Sequence, residues 1–457
     1  MSATLSAEGS RVAPGPKRYG AAPFGHLAAE LAGPEWLELL RRQGRDVHNR
    51  IGVPTPKHED WKYTPLREIA ETEWVAAEPG PAVFEESLPE FDGGAIRIVM
   101  VNGRVDRNLG TQGTLPSGLR LASMRDDLST GETSLLESVL GKTGPKATKT
   151  VDREIAPDEH TFAALNDATF EDGLLVHIAE GTTIEPLIEI VHVSCGEGSP
   201  AIMMPRIAIV AEKGSRCKIV ETYVTRGEGT TLTVPVTEVV VRSGAELEHV
   251  RLQDEAPAAR HIANWQTAQE AESIYTSFNV CFGAGLARVD QGIWIGGEGT
   301  KTRLDGVVVA NGSQHMDNHT RLDHAFPNGE SFEIYKQIAD DQAHVVFNGK
   351  IFVHQDAQKT DAKQTNQALL LAPAAVVDSK PQLEIFADDV KCTHGATVGQ
   401  LEDLPLFYLR SRGMPHDRAE AVLVYAFAAE VLEEISIEPV RKALEARLFD
   451  KLEVASK

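Results

Sequence analysis

Cysteine is sparse in this sequence and shows no pairing pattern. Cys195, Cys217, Cys281 and Cys392 are the only four, widely spread, with no C-x-x-C among them. In a chain of 457 residues this excludes a disulfide framework and reads as reduced thiols in a cytosol, so the expected location is cytoplasmic. Positive charge is also short. Lys plus Arg number 45 against 67 Asp plus Glu, a formal charge of −22. That balance argues against nucleic acid or an anionic membrane as the main partner and mainly indicates solubility. Long apolar runs are missing. The longest, near Ala421 to Ala429, is far short of the ~20 residues that span a bilayer. The first residues, MSATLSAEGSRVAPGPKRYG, contain no apolar core, so no signal peptide is expected there. No Walker motif, G-x-G-x-x-G, G-x-S-x-G or H-E-x-x-H occurs, which discourages a nucleotide-dependent or hydrolytic enzyme acting alone. Aromatic residues are only 6%. No ladder of acids and aromatics along one face is visible, which disfavours a carbohydrate-acting enzyme.

What is present changes character along the chain. Length allows up to about three domains. Residues 1–22 read as a flexible tail, small, polar and rich in Pro and Gly. Residues 23–160 read as an N-terminal helical and α/β region. Helical spacing runs from Phe24 to about Ile51 through Leu27, Leu31, Leu37 and Leu40, interrupted by Pro34. PTPKHEDWKYTPLREI then breaks the helix, with Trp61 and Tyr63 as packing anchors. Asn102–Gly103 between extended runs signals a hairpin. The polar stretch from about Arg125 to Glu159 reads as a partly mobile connector.

Residues 161–400 read as a β core. Short strands follow one another with almost no helical periodicity, GLLVHIAEG, RIAIVAEKG, TEVVVRSG and VVFNGKIFV among them. A turn motif recurs at Gly181, Gly214, Gly244 and Gly299, at irregular intervals of 33, 30 and 55. No strict short-period repeat is evident. Near-continuous apolar runs suit strands buried in a stacked coil. The pattern alone leaves a jelly roll nearly as open as a right-handed parallel β-helix. Cys195, Cys217 and Cys281 sit beside apolar or β-branched residues and read as core.

Two clusters invite chemistry. From His315 to His324, alternate positions would put His315, Asp317 and His319 on one strand face, with Asp323 and His324 nearby. A cupin-like metal-dependent enzyme is the alternative reading this supports. Cys392 and His394 lie two apart on a second extended segment and so project from one face. Thiolate and imidazole are suitable ligands for a metal or sulfide. The chain then turns at Gly395 and Gly399 and enters a helix ending at Gly413. Residues 401–457 read as a helical domain. Asp417 and Glu420 have capping-box spacing. Val422, Tyr425, Ala426 and Ala429 form one apolar stripe and Leu423, Phe427, Val431 and Ile435 another, wider than one core requires. Val440, Leu444, Leu448 and Leu452 recur every four residues in the last helix.

The segment KPQLEIFADDVKCTHGATVGQLEDLPLFYLRSRG, continued by VVFNGKIFVHQDAQKTDAKQTNQALLL upstream and YAFAAEVLEEI downstream, resembles the SufD members of the SufB/SufD family of iron–sulfur cluster assembly proteins, as does WKYTPL. The resemblance runs from about Trp61 to Leu448. It implies a mainly β fold: a right-handed parallel β-helix core flanked by an N-terminal α/β region and a C-terminal helical domain. It implies a non-catalytic scaffold of the SUF system that pairs with the homologous SufB subunit and binds the SufC ATPase through its C-terminal helices. Nascent clusters would form where SufB and SufD meet. The site residues it implies are His394, with Cys392 as companion, holding a transient iron–sulfur cluster shared with the partner.

Overall fold

The computed structural model describes residues 19, 24–27, 32–80, 91, 94–144, 148–149, 154–155 and 160–455. Between Leu174 and Gly399 the chain winds as a parallel β-solenoid. Each coil gives one strand to each of two sheets, and each strand pairs in parallel with the equivalent strands of the neighbouring coils. Eight coils result, from Leu174–Ile178 with Ile188–Cys195 to Val376–Ile385 with Lys391–Gly399. A jelly roll, built of antiparallel strands, is thereby ruled out.

One coil advances the chain by 26 residues where Arg260 pairs with Leu286, and by 33 where Leu174 pairs with Ile207. The repeat that the glycine intervals concealed is therefore real, and the interval of 55 is two coils. Glu272 stands between Gly244 and Gly299 with φ 59°, and Asn328 and Lys359 continue the series with φ 59° and 62°. Gly181, Gly214, Gly244 and Gly299 themselves have φ 66° to 70°. Left-handed backbone is open to glycine and costs other L-residues roughly 1–2 kcal/mol. The corner can therefore leave glycine one coil at a time, and a search for glycine loses the period.

The strands are continuous apolar runs because both faces are covered. Ile207, Ile209 and Ala211 point into the solenoid core. Ala208 and Val210, between them, meet Leu37, Met124, Leu136 and Val139 of the N-terminal helices. On the other sheet, Val220, Val250, Phe278 and Val307 are covered by Val424, Ala428, Val431, Leu432 and Ile435, and by Val440, Leu444, Leu448 and Leu452 of the last helix. Cys195, Cys217 and Cys281 are all buried, as their neighbours in sequence suggest.

Several expectations need correction. The first helix is Glu35–Ile51, not Phe24–Ile51. Pro34 takes its N-cap, and Phe24 lies buried in a preceding turn. The stretch after Arg125 is not all connector: helices Met124–Thr130 and Ser134–Val139 occupy its first half, the former capped by the Ser123 hydroxyl. Parts of 145–159, and the 1–22 tail apart from Tyr19, lie outside the described residues. Gly395 does not turn the chain. It sits inside strand Lys391–Gly399, and helix Asp403–Ser411 starts beyond it. The capping box at Asp417 does not form. Helix His416–Leu432 starts one residue earlier, with Pro415, which has no side-chain acceptor, at its N-cap. The buried residues of that helix are Ala419, Val424, Ala428, Ala429, Val431 and Leu432; Ala429 belongs to the first stripe read from the sequence and Val431 to the second, while Val424, Ala428 and Leu432 belong to neither. The Asn102–Gly103 hairpin does form, with φ 50° and 80° at its two turn residues. Trp61 is buried, with the Arg288 guanidinium 3.7 Å over its ring, while Tyr63 is half-buried.

Candidate functional site at the open end of the solenoid

Among the described residues, the two strands of the last coil have pairing partners on one side only. Val376–Ile385 pairs with His344–Val353, and Lys391–Gly399 with Asp361–Leu370. Elsewhere the strands are mostly buried, but here nearly every residue is exposed or half-buried. Val376, Ile385 and Val398 stand among the exposed large apolar residues of the chain, Val398 at 48%.

Cys392 and His394 both lie on this last strand. In-register parallel pairing stacks side chains of one face coil upon coil. Cys392 pairs with Ala362 and His394 with Gln364, so both belong to inward-facing columns. Cys392 is half-buried against the solenoid core, and burial pushes its thiol upward. His394 is exposed at the end of its column. Beneath it the column continues through Gln364 to Glu333. The Gln364 amide donates from Nε2 to Glu333 Oε2 at 2.7 Å, and the Thr320 hydroxyl donates to Oε1 at 2.5 Å. Both Gln364 and Glu333 are 1% exposed. Gly349, on the facing sheet, makes room for this amide: a Cβ there would stand 2.4 Å from Gln364 Nε2. Burial raises the Glu333 carboxyl to about 7, against the two bonds that favour its ionised form. Sequence reading missed Glu333 and Gln364. Their separations from His394 are one and two coil lengths, so the repeat was the signal that could have found them.

The His315–His324 stretch is arranged otherwise. His315, Asp317, His319 and Asp323 do share the outer face of one strand, but His324 points inward and bonds Ser331 at 2.9 Å. Asp317 is engaged by Arg288 at 2.9 Å, by His319 at 3.1 Å and by the Thr64 hydroxyl. Burial opposes its ionisation, but His319 and Arg288 outweigh burial and hold the carboxyl well below the usual range. Asp323 is held by Arg321 at 2.7 Å. Arg288, one coil away from Asp317, and Arg321, on the same strand as Asp323, thus supply the positive charge that a metal would bring. Among the described residues no group of three or more His, Cys, Asp and Glu converges as a metal cage.

A second exposed apolar surface lies on helix Asp403–Ser411, none of whose residues is buried. Leu404 is 76% and Phe407 68% exposed, with Tyr408 beside them. Phe427, on the next helix, is instead half-buried, with the Lys336 ammonium 4.5 Å over its ring. No described helix is long and apolar enough to cross a membrane.

Fold and site together define a class: a parallel β-solenoid with one unpaired end, carrying a helical domain with apolar surface to spare. Residues 193–427 match the SufBD core domain of the SUF system of FeS cluster assembly, and residues 29–190 match the SufBD protein N-terminal region. The chain is 31% identical over 405 residues to iron–sulfur cluster assembly protein SufD of Escherichia coli, covering 88% of this chain and 90% of that one. It is 31% identical over 412 residues to an iron–sulfur cluster assembly SufBD family protein of Synechocystis, covering 87% of each. To SufD of Bacillus subtilis it is 25% identical over 423 residues, 90% of this chain and 93% of that one. This chain belongs to the SufBD family of iron–sulfur cluster assembly proteins.

Proposed function

We propose that this chain is a scaffold subunit of a SUF assembly complex, pairing end to end with the homologous SufB subunit and docking the SufC ATPase on its C-terminal helices. The observation that carries the reading is the unfinished last coil. The coil that carries Cys392 and His394 presents two open strand edges and the exposed apolar side chains of Val376, Ile385 and Val398. An exposed strand edge is a template for another chain, and soluble proteins normally cover or blunt it. A homologous solenoid presenting the same kind of end would cover it. The apolar surface of Leu404, Phe407 and Tyr408 is the docking surface for the ATPase.

The nascent cluster is cargo at this junction. Iron–sulfur clusters normally take about four protein ligands, mostly Cys. Cys392 and His394 supply two, and the partner completes the set. Partial ligation on each subunit lets the cluster leave. His394, exposed at the column's end, contributes directly. Cys392, half-buried and with its thiol pushed up, is the lesser contributor. The chain itself hydrolyses no ATP; phosphate release by the pure, partner-free protein would contradict this.

The test is reconstitution of the whole complex, read as bound iron and sulfide. His394→Ala and Cys392→Ala leave the complex assembled and lower cluster yield, His394→Ala more severely. Normal cluster content in the double variant would place the site elsewhere, with the His315–His324 stretch next to be tried.

A further inference from the structure

We propose that Gln364 is a positioning residue for His394: its side-chain carbonyl accepts the imidazole N–H and so fixes which ring nitrogen is offered to the assembly site. The inference rests on the role of His394 proposed above. It starts from an amide with one end committed. Gln364 Nε2 donates to the Glu333 carboxylate at 2.7 Å. A side-chain amide carries two donors on nitrogen and acceptor lone pairs on oxygen. Turning the nitrogen toward Glu333 leaves Oε1 as the uncommitted end of the amide. With Glu333 ionised, flipping the amide would set two acceptors against each other. Glu333 is held in turn by the Thr320 hydroxyl at 2.5 Å, and Gly349 leaves the amide its space.

Gln364 Oε1 is buried and has no hydrogen-bond partner among the described residues. A buried acceptor left unmet is costly, and such groups normally find a donor. The surroundings offer few. On the free side, the inward-facing neighbours on strand Lys391–Gly399 are Cys392, His394 and Ala396. Cysteine is a weak donor and alanine none. On the facing sheet the last coil presents Ser379, Pro381 and Leu383 above Phe347, Gly349 and Ile351. Ser379 already donates to Asn366 at 2.8 Å. His394, whose exposed ring makes no such bond in this structure, is the remaining donor once that ring turns inward, directly in register with Gln364 on a strand about 4.8 Å away. A neutral imidazole has one N–H and one lone pair. Committing the N–H to Gln364 leaves the lone pair on the other nitrogen for the cluster. Histidine ligands of metals are commonly oriented in this way through their second nitrogen.

The experiment is nitrogen NMR of the full chain labelled in its histidine rings, with the His394 signals assigned by their loss in His394→Ala. The expected wild-type result is a single imidazole tautomer with one N–H bonded. Gln364→Met, which keeps side-chain length without the carbonyl, moves both ring nitrogens to the exchange-averaged shifts of a solvent histidine. Glu333→Gln, which keeps an acceptor for the amide, leaves them near wild type. In the reconstituted complex, Gln364→Met lowers cluster yield several-fold, less than His394→Ala. A wild-type His394 ring already at solvent-average shifts overturns the inference without any variant. So does a Gln364→Met chain that folds with unchanged ring shifts. If instead His394→Ala leaves cluster yield intact while the tautomer behaves as expected, the hydrogen bond stands and the assembly role of His394 falls.

Discussion

At its first coil the solenoid is finished. Strand Leu174–Ile178 is covered by the antiparallel strand Leu119–Ser123, and Ile188–Cys195 by Ile96–Val101, which folds back on itself as a hairpin. Every residue of Ile188–Cys195 is buried. At its last coil the same two-strand unit has no third strand to meet among the described residues. The apolar content persists, in Val376, Leu383, Ile385 and Val398, but the burial does not. The difference teaches where to look for function. A chain able to cap one end has left the other end open, and the residues proposed to handle the cluster stand there.

The sharpest way to break this comparison is to put one charge into one column at two depths. Val308 and Val398 occupy the same inward column, linked in register through Gln337 and Ala368. Val308 is fully buried. Val308→Asp places an unpaired carboxylate in the core and costs about 5 kcal/mol or more, so loss of soluble folded chain is expected. Val398→Asp leaves the lone chain's circular dichroism and melting temperature near wild type but abolishes co-elution with the partner solenoid. Equal effects on folding would mean that the open end is packed after all. A parallel substitution, Phe407→Asp with Tyr408→Asp, should remove ATPase co-purification while the β core stays folded. Retained binding would sink the helical docking surface. Phe427, half-buried under Lys336, is the poorer choice for that test because its loss also disturbs packing.

A smaller effect sharpens the gradient. Ile351 and Leu383 are in-register neighbours in the last two coils. Ile351 is fully buried and Leu383 half-buried. Ile351→Ala should cost about 4 kcal/mol, and Leu383→Ala about 1 kcal/mol in the lone chain, because the half-exposed site leaves little cavity. Denaturant midpoints of the two variants check this. Adding the partner should raise the cost of Leu383→Ala toward that of Ile351→Ala if the partner covers the end.

Much of this architecture was legible because it is written in local chemistry. Apolar β-branched runs gave the strands, Asn102–Gly103 the hairpin, and the spacing of Val440, Leu444, Leu448 and Leu452 the last helix, all four buried as expected. What failed to show were features that depend on the coil period. Glu272 in a left-handed corner hid the period, and with it the stacking of Glu333 and Gln364 under His394. Helices Met124–Thr130 and Ser134–Val139 were concealed differently. They are short and largely polar, and a few contacts such as Met124, Leu136 and Val139 on Val210 and Val240 hold them. For the site, Cys392 and His394 could be paired from their two-residue spacing. The support below them is reached only through three-dimensional register. The His315 cluster shows the converse: spacing correctly put three side chains on one face, but only the neighbouring coil reveals that Arg288 already neutralises Asp317.

The last prediction measures how quickly the open end becomes interior. Glu333 lies two coils below the exposed His394 yet is 1% exposed, and burial raises its carboxyl from 4.5 to about 7. The folded chain therefore keeps this proton up to about pH 7, whereas the unfolded chain releases it near 4.5. Between those values the folded state binds more protons, so this group's contribution to stability falls as pH rises and is level above about 7. At about 1.4 kcal/mol per pKa unit, the whole change is at most about 3 kcal/mol. Glu333→Gln keeps an acceptor for the Gln364 amide and removes the titration. The stability difference between the variant and the wild type should grow in the variant's favour from pH 4.5 to 7 and then stay constant. Asp305, also raised by burial, to about 6, is one of the charges that raise Glu333, so the comparison is made on an Asp305→Asn background as well, which removes that coupling. Melting temperatures of the two chains across that range decide it. If water reached two coils into the open end, Glu333 would titrate near its ordinary value and the difference would be flat.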